Sequence, residues 1–124
     1  MIVGVGLDLT EIPRIAAMMQ RWGERFTRKI FTDGERSYAA GRARPADHLA
    51  ARVSAKEATL KALGVPSGLS WHDMEVVKRR GARPELVLTG RALEASVAMG
   101  ISRVHLTITH AADVACAVVV AEAG

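Results

Sequence analysis

A chain of 124 residues has room for one domain, residues 1–124, with a modest core. Its 49% hydrophobic content and four prolines describe a globular protein. No apolar run reaches the roughly 18 residues of a membrane span, and no basic segment leads into a signal core, so the cytoplasm is the expected compartment and a membrane is not an expected partner. The net charge of +4 points to acidic partners. With only two Phe, two Trp and one Tyr to stack on bases, nucleic acid is not the partner expected.

Met1 to Thr10 sets Ile2, Val3, Val5, Leu7 and Leu9 among glycines and reads as a buried strand. Gly4 and Gly6 remove side chains, which predicts something packed against the backbone there. Asp8, flanked by leucines, is costly in such a strand unless it is paired, holds a cation, or caps the helix that follows. Thr10 opens that helix, with Ile12, Ile15, Met19, Trp22 and Phe26 on its buried side. Arg14, Met18, Arg21 and Arg25 run opposite. A methionine among arginines is an adaptable apolar contact in a positive patch and suits an acidic amphipathic partner.

Thr32 to Glu35 has capping-box spacing and starts a short helix ending near Gly41. A basic loop with Arg42 and Arg44 follows, and Asp47 is expected to cap a long helix closed by Gly64. Leu49, Val53, Leu60 and Leu63 form one apolar arc of this helix, and Ala51, Ala55, Ala58 and Ala62 a second. A helix apolar nearly all round belongs in a core, so Lys56, Glu57 and Lys61 need an explanation. On helix chemistry alone an i, i+4 pair of Glu57 with Lys61 and a Lys56 reaching for solvent would suffice.

Met74–Arg80 and Glu85–Thr89 read as a hairpin turning at 81–84. A helix through Leu93, Val97 and Met99 stops at Gly100. Arg103–His110 alternates cleanly and returns through Val114–Glu122 as a final buried strand. Cys116, alone and in an apolar run, reads as a small buried hydrophobe. His48, His72 and His105 form no metal-like spacing and read as structural or surface residues. The expected class is α+β, a largely antiparallel five-stranded sheet packed with one long core helix and shorter helices.

Three separated stretches, Gly4–Ile15, Ala55–Gly64 with its Lys-Glu-Ala-x-x-Lys run, and Leu106–Ala111, together resemble the holo-acyl-carrier-protein synthases, the small bacterial 4′-phosphopantetheinyl transferases. The resemblance spans essentially the whole chain. It implies transfer of the phosphopantetheine arm of coenzyme A to a serine of apo acyl carrier protein, release of adenosine 3′,5′-bisphosphate, and service to fatty acid biosynthesis. Asp8 and Glu57 would hold a magnesium ion. Lys61 would join them as a catalytic residue facing the same phosphates. Arg52, Lys56, Lys61, Gly64 and His110 would contact the coenzyme, with Arg44 a helper. The proton acceptor for the serine stays open between a metal-activated water, Asp8 and Lys61. Arg14, Met18, Arg21 and Arg25 would receive the acidic carrier, and a homotrimer would place the site between subunits. Val53 stands where this family usually has Phe, and Ala111 where a hydroxyl residue is common. The rival from another class is a non-catalytic module binding an acidic protein or phosphorylated ligand, with Asp8 and Glu57 structural.

Overall fold

The computed structural model describes residues 1–124. Its first strand, β1 (Ile2–Glu11), lies against α4 (Pro45–Ala62), and glycine makes the contact possible. A Cβ on Gly6 would stand 1.8 Å from the Ala58 carbonyl oxygen, and one on Gly4 2.0 Å from that of Ala62. Two residues of strand advance about 6.7 Å and four of helix about 6 Å, so glycines two apart meet carbonyls four apart. The alanine arc of α4 serves the same approach. Ala55, Ala58 and Ala62 are buried against Ala117 and Val119 of β5 (Val114–Ala123).

Between β1 and α4 run α1 (Ile12–Trp22), α2 (Glu24–Ile30) and α3 (Asp33–Ala40). After α4 come a 3-10 turn at Trp71–Asp73, β2 (Met74–Val77), β3 (Glu85–Leu88), α5 (Gly90–Ala98) and β4 (Ile101–Ala111), which turns into β5. All pairings are antiparallel, and the five strands divide into a three-stranded sheet of order β1-β5-β4 and the separate hairpin β2-β3. No helix is long and apolar enough to cross a membrane.

Helix α4 is the core, with 11 of its 18 residues buried. Its C-terminus is as expected: Gly64 at φ 77° lets its own N–H reach the Lys61 carbonyl and that of Val65 reach Leu60. Its N-terminus differs, because Pro45 takes the first helical position and Arg44 the cap, leaving Asp47 inside the first turn. Thr32 and Glu35 form the expected capping box of α3.

Several expectations need correction. Thr10 and Glu11 belong to β1, so Asp8 caps nothing. Gly23, at φ 53°, breaks the predicted first helix in two, and Trp22 lies 40% exposed rather than inside. Strand β1 is buried on one face only. Gly4, Gly6, Asp8 and Thr10 share the face toward α4, while Val5, Leu7 and Leu9 are 59%, 55% and 66% exposed on the other. Beside them Cys116, Val118 and Val120 of β5 are half-buried, so Cys116 belongs to this outer apolar face. The hairpin strands β2 and β3 are shorter than expected, leaving residues 78–84 as a loop.

Candidate active site

Asp8 and Glu57 line one cleft of about 420 Å³, together with Thr10, Arg14, Ile15, Met18, Val53 and Trp71. The glycine contact sets this up, because it holds β1 on α4 with Asp8 two residues beyond Gly6. Asp8 is anchored on both oxygens. Thr10 Oγ1 donates to Oδ2 at 3.4 Å and itself receives the Ser54 hydroxyl at 2.7 Å, while Lys61 Nζ lies 3.3 Å from Oδ1. Lys61 also donates to the Leu7 carbonyl at 2.9 Å and stays half exposed. The Glu57–Lys61 pair that helix spacing alone would allow is not formed. Lys61 crosses to β1, and Glu57 has no hydrogen bond or ion pair from within the chain. Gly64, just beyond Lys61, has open space on the side a Cβ would occupy.

Arg52 and His110 meet in a different place. A pocket of about 200 Å³ is lined by Tyr38, His48, Arg52, Lys78, Pro84 and His110, and none of these residues lines the Asp8 cleft. Arg52 is only 2% exposed. One amino group donates to the His48 carbonyl at 3.2 Å, and its buried Nε has no partner. Arg52 and Arg42 both lie over the Tyr38 ring, at 4.4 and 4.2 Å from its centroid. Burial draws the Arg52 guanidinium below its usual range, against the pull of Glu35. His110 Nδ1 stands 4.0 Å from Asp47, which also pairs with Arg44 at 3.2 Å. His48, read from sequence as structural, therefore belongs to this cationic pocket.

Burial, then Arg52, His110 and Arg42, lower the His48 pKa from its ordinary 6.5, with Asp47 opposing. A base with a depressed folded-state pKa is protonated more readily in the unfolded chain, so stability falls as pH drops below 6.5. Replacing His48 by Asn is expected to flatten this acid limb. Urea melts between about pH 5 and 7 measure it, and an unchanged slope would show that another group carries the limb.

The basic face of α1 borders the first site, since Arg14 and Met18 line the Asp8 cleft. Arg21 and Arg25 both lie over the Trp22 ring, at 5.0 and 5.6 Å, and Met18, Trp22, Arg25, Phe26 and Lys29 line a shallow groove of about 200 Å³. Trp22 is thus the apolar centre of the patch that the sequence pattern had put in the core.

Lys56 lies elsewhere. It is fully buried, 2.9 Å from Glu35 Oε1, and donates to the carbonyls of Trp71 and Met74. An ammonium has three donors, so none is left for a coenzyme. Glu35 was visible only as half of a capping box. Its second role, as the partner of Lys56, joins residues 21 positions apart and leaves no local signal.

Comparison with known proteins bears on this arrangement. A family model described as the 4′-phosphopantetheinyl transferase superfamily matches residues 4–119. A holo-[acyl-carrier-protein] synthase of Koribacter versatilis is 41% identical over 124 residues, covering 98% of this chain and 99% of that one. The crystal structure of the holo-[acyl-carrier-protein] synthase from Neisseria meningitidis superposes with a TM-score of 0.85 at 33% identity, covering 98% of this chain and 99% of that one. The synthase from Bacillus anthracis, solved in complex with CoA (3′,5′-ADP), gives 0.81 at 34% identity over 100% of this chain and 99% of that one. The chain belongs to the 4′-phosphopantetheinyl transferase superfamily and, within it, to the holo-[acyl-carrier-protein] synthases.

Proposed function

We propose that the chain moves the 4′-phosphopantetheine arm of coenzyme A onto a serine of apo acyl carrier protein, with magnesium held by Asp8 and Glu57. The carrying observation is the placement of these two carboxylates in one cleft, with Glu57 unpaired by the protein. Two carboxylates fit magnesium, which keeps its waters and takes phosphate oxygens rather than a full protein cage. Accordingly no cluster of three or more His, Cys, Asp or Glu is needed, and the chain has none. When bound, the ion would neutralise pyrophosphate charge and align the reacting groups.

The residues supply the rest. The serine oxygen forms a bond to the β-phosphorus while the bond to adenosine 3′,5′-bisphosphate breaks and the serine proton leaves, so negative charge gathers on the departing group. Lys61 is fixed by Leu7 and Asp8 and keeps a donor free for a phosphate oxygen. The Ser54–Thr10–Asp8 relay orients the Asp8 carboxylate. At the nucleotide end, Arg52 and Lys78, with His48 and His110 beside them, line a pocket suited to a phosphate.

The cleft and this pocket are separate in one chain, and the outer face of β1 is apolar and exposed. Both features support a homotrimer in which one subunit's cleft meets a neighbour's pocket and β1 is covered by the assembly. We place the activity in the cytoplasm, in service of fatty acid synthesis.

The test is the mass of apo carrier protein incubated with the chain and coenzyme A, with and without magnesium. A magnesium-dependent gain is expected; an unchanged mass under saturating conditions would leave the binding-module reading. For docking, Arg14→Glu and Arg21→Glu are expected to raise the carrier's KM about tenfold or more through reversed surface charge. Coenzyme affinity should fall far less, and equal loss of both would move the docking face elsewhere.

A further inference from the structure

We propose that Lys56 is a positioning residue for this transfer, tying the Trp71 wall of the cleft to α4 beside Glu57 so that the cleft keeps the width the reactants need; the inference rests on the reading of the cleft given above. Lys56 and Glu57 are consecutive on α4, about 100° apart around its axis. One side chain points into the protein and the other lines the cleft. Trp71 lines the same cleft as Glu57, and Lys56 grips its backbone at the Trp71 carbonyl and, three residues on, at that of Met74.

The grip extends through Glu35. Its Oε1 accepts from Lys56 and, at 3.0 Å, from the Thr32 N–H that starts α3, and its Oε2 accepts from the Val76 N–H of β2 at 2.8 Å. One ion pair with both members 0% exposed thus fastens α3, α4 and residues 71–76 together. From the other side His72 Nε2 donates to the Arg28 carbonyl at 2.7 Å, tying the same turn to α2, whose Phe26 and Ile30 line the cleft. Buried ion pairs contribute little net stability over an apolar replacement, so a pair this elaborate calls for a geometric explanation. Burial pulls the Lys56 pKa down while Glu35 pulls it up, as expected for an ammonium held dry by its partner.

The experiment compares Lys56→Met, which leaves Glu35 buried and alone, with Lys56→Met/Glu35→Gln, which removes both charges. Trp71 emission and its quenching by acrylamide are read in a Trp22→Phe background, where Trp71 is the only tryptophan; kinetics and coenzyme binding are measured without that change. The single variant should melt early, and the double variant should recover only part of the loss, because the glutamine oxygen can accept from only one of the Thr32 and Val76 N–H groups. In both, Trp71 emission should shift to the red and quench more readily. Turnover per folded molecule should fall about 10- to 100-fold, the scale of a roughly 1 Å misplacement. Coenzyme affinity should stay within about twofold, because Lys56 has no donor to give it.

Parallel loss of coenzyme affinity would overturn the proposal in favour of a ligand contact. Unchanged Trp71 emission, or turnover restored in the double variant, would overturn it in favour of a purely structural pair. Absence of transfer by the parent chain would instead fail the proposed function. The emission comparison needs no turnover and would still decide whether Lys56 holds the wall.

Discussion

Glu57→Gln is expected to abolish magnesium-dependent loading of the carrier while leaving the fold untouched. The two halves of this expectation have one cause. Glu57 lines the cleft without a hydrogen bond or ion pair from the protein, so an isosteric neutral side chain takes nothing from the folded state, and stability should stay within about 0.5 kcal/mol. The carboxylate's charge is then available only to what enters the cleft. Removing one fixed electrostatic contact to a charge-developing transition state costs on the order of 10²–10³ in rate, or about 3–4 kcal/mol. Carrier mass at fixed time, with urea melts alongside, separates the halves. Loading at the parent rate would remove Glu57 from the chemistry. A melt shifted by several kcal/mol would mean that it has a structural partner after all.

Asp8 offers the contrast. Its oxygens are engaged by Thr10 and Lys61, so Asp8→Asn would disturb the Ser54 relay and free Lys61 at once. Loss of activity there would not separate chemistry from positioning. The two acids of the cleft therefore differ as tests even though both face the same space, and Glu57 is the cleaner of the pair.

What could be read before folding follows from how local each signal is. The long helix, its glycine stop and the Thr32–Glu35 box are written in consecutive residues, and all three are present. The close approach at Gly4 and Gly6 was legible as an absence of side chains, without naming the Ala58 and Ala62 carbonyls. Strand β1 misled because its pattern inverts the usual logic. Large apolar residues alternate with small or polar ones, which normally marks the apolar side as inward. Here the helix backbone needs the glycine side, and Val5, Leu7 and Leu9 turn outward. A single chain's sequence does not record that the outward face can meet another surface.

The site was legible to a similar degree. Asp8 and Glu57 were placed together through the resemblance of their flanking motifs, and they share a cleft. Lys56 was misread because its partner, Glu35, sits on another helix; Trp22, the last residue of α1, was assigned inward by helical spacing but lies 40% exposed beneath Arg21 and Arg25. His48 joined the Arg52 pocket through edge-to-face contacts with Tyr38 and His110, at 5.5 and 6.1 Å between ring centroids, contacts that no spacing in the sequence encodes.

Gly6→Ala should be the most damaging single-methyl change in the chain. The added Cβ would stand 1.8 Å from the Ala58 carbonyl oxygen and 2.7 Å from its carbon. Both are helix backbone, so no side-chain rotamer can relieve the overlap, and α4 must move off β1 by more than an ångström. Overpacking of ordinary cores costs about 1–3 kcal/mol; a backbone-on-backbone clash belongs at or above the upper end, against a total stability of roughly 5–15 kcal/mol. The same displacement carries Glu57 and Lys61 away from Asp8, so any folded fraction should also transfer poorly. Gly41→Ala is the control: φ is −84°, and the nearest atoms to its Cβ lie at 3.8 Å. There the methyl should be neutral, or stabilise by up to about 1 kcal/mol by restricting the unfolded chain. Urea melts of the two variants decide the matter. If Gly6→Ala melted like Gly41→Ala, the strand and helix would not be in backbone contact. The separation that holds Asp8 opposite Glu57 would then have to be set by something other than glycine.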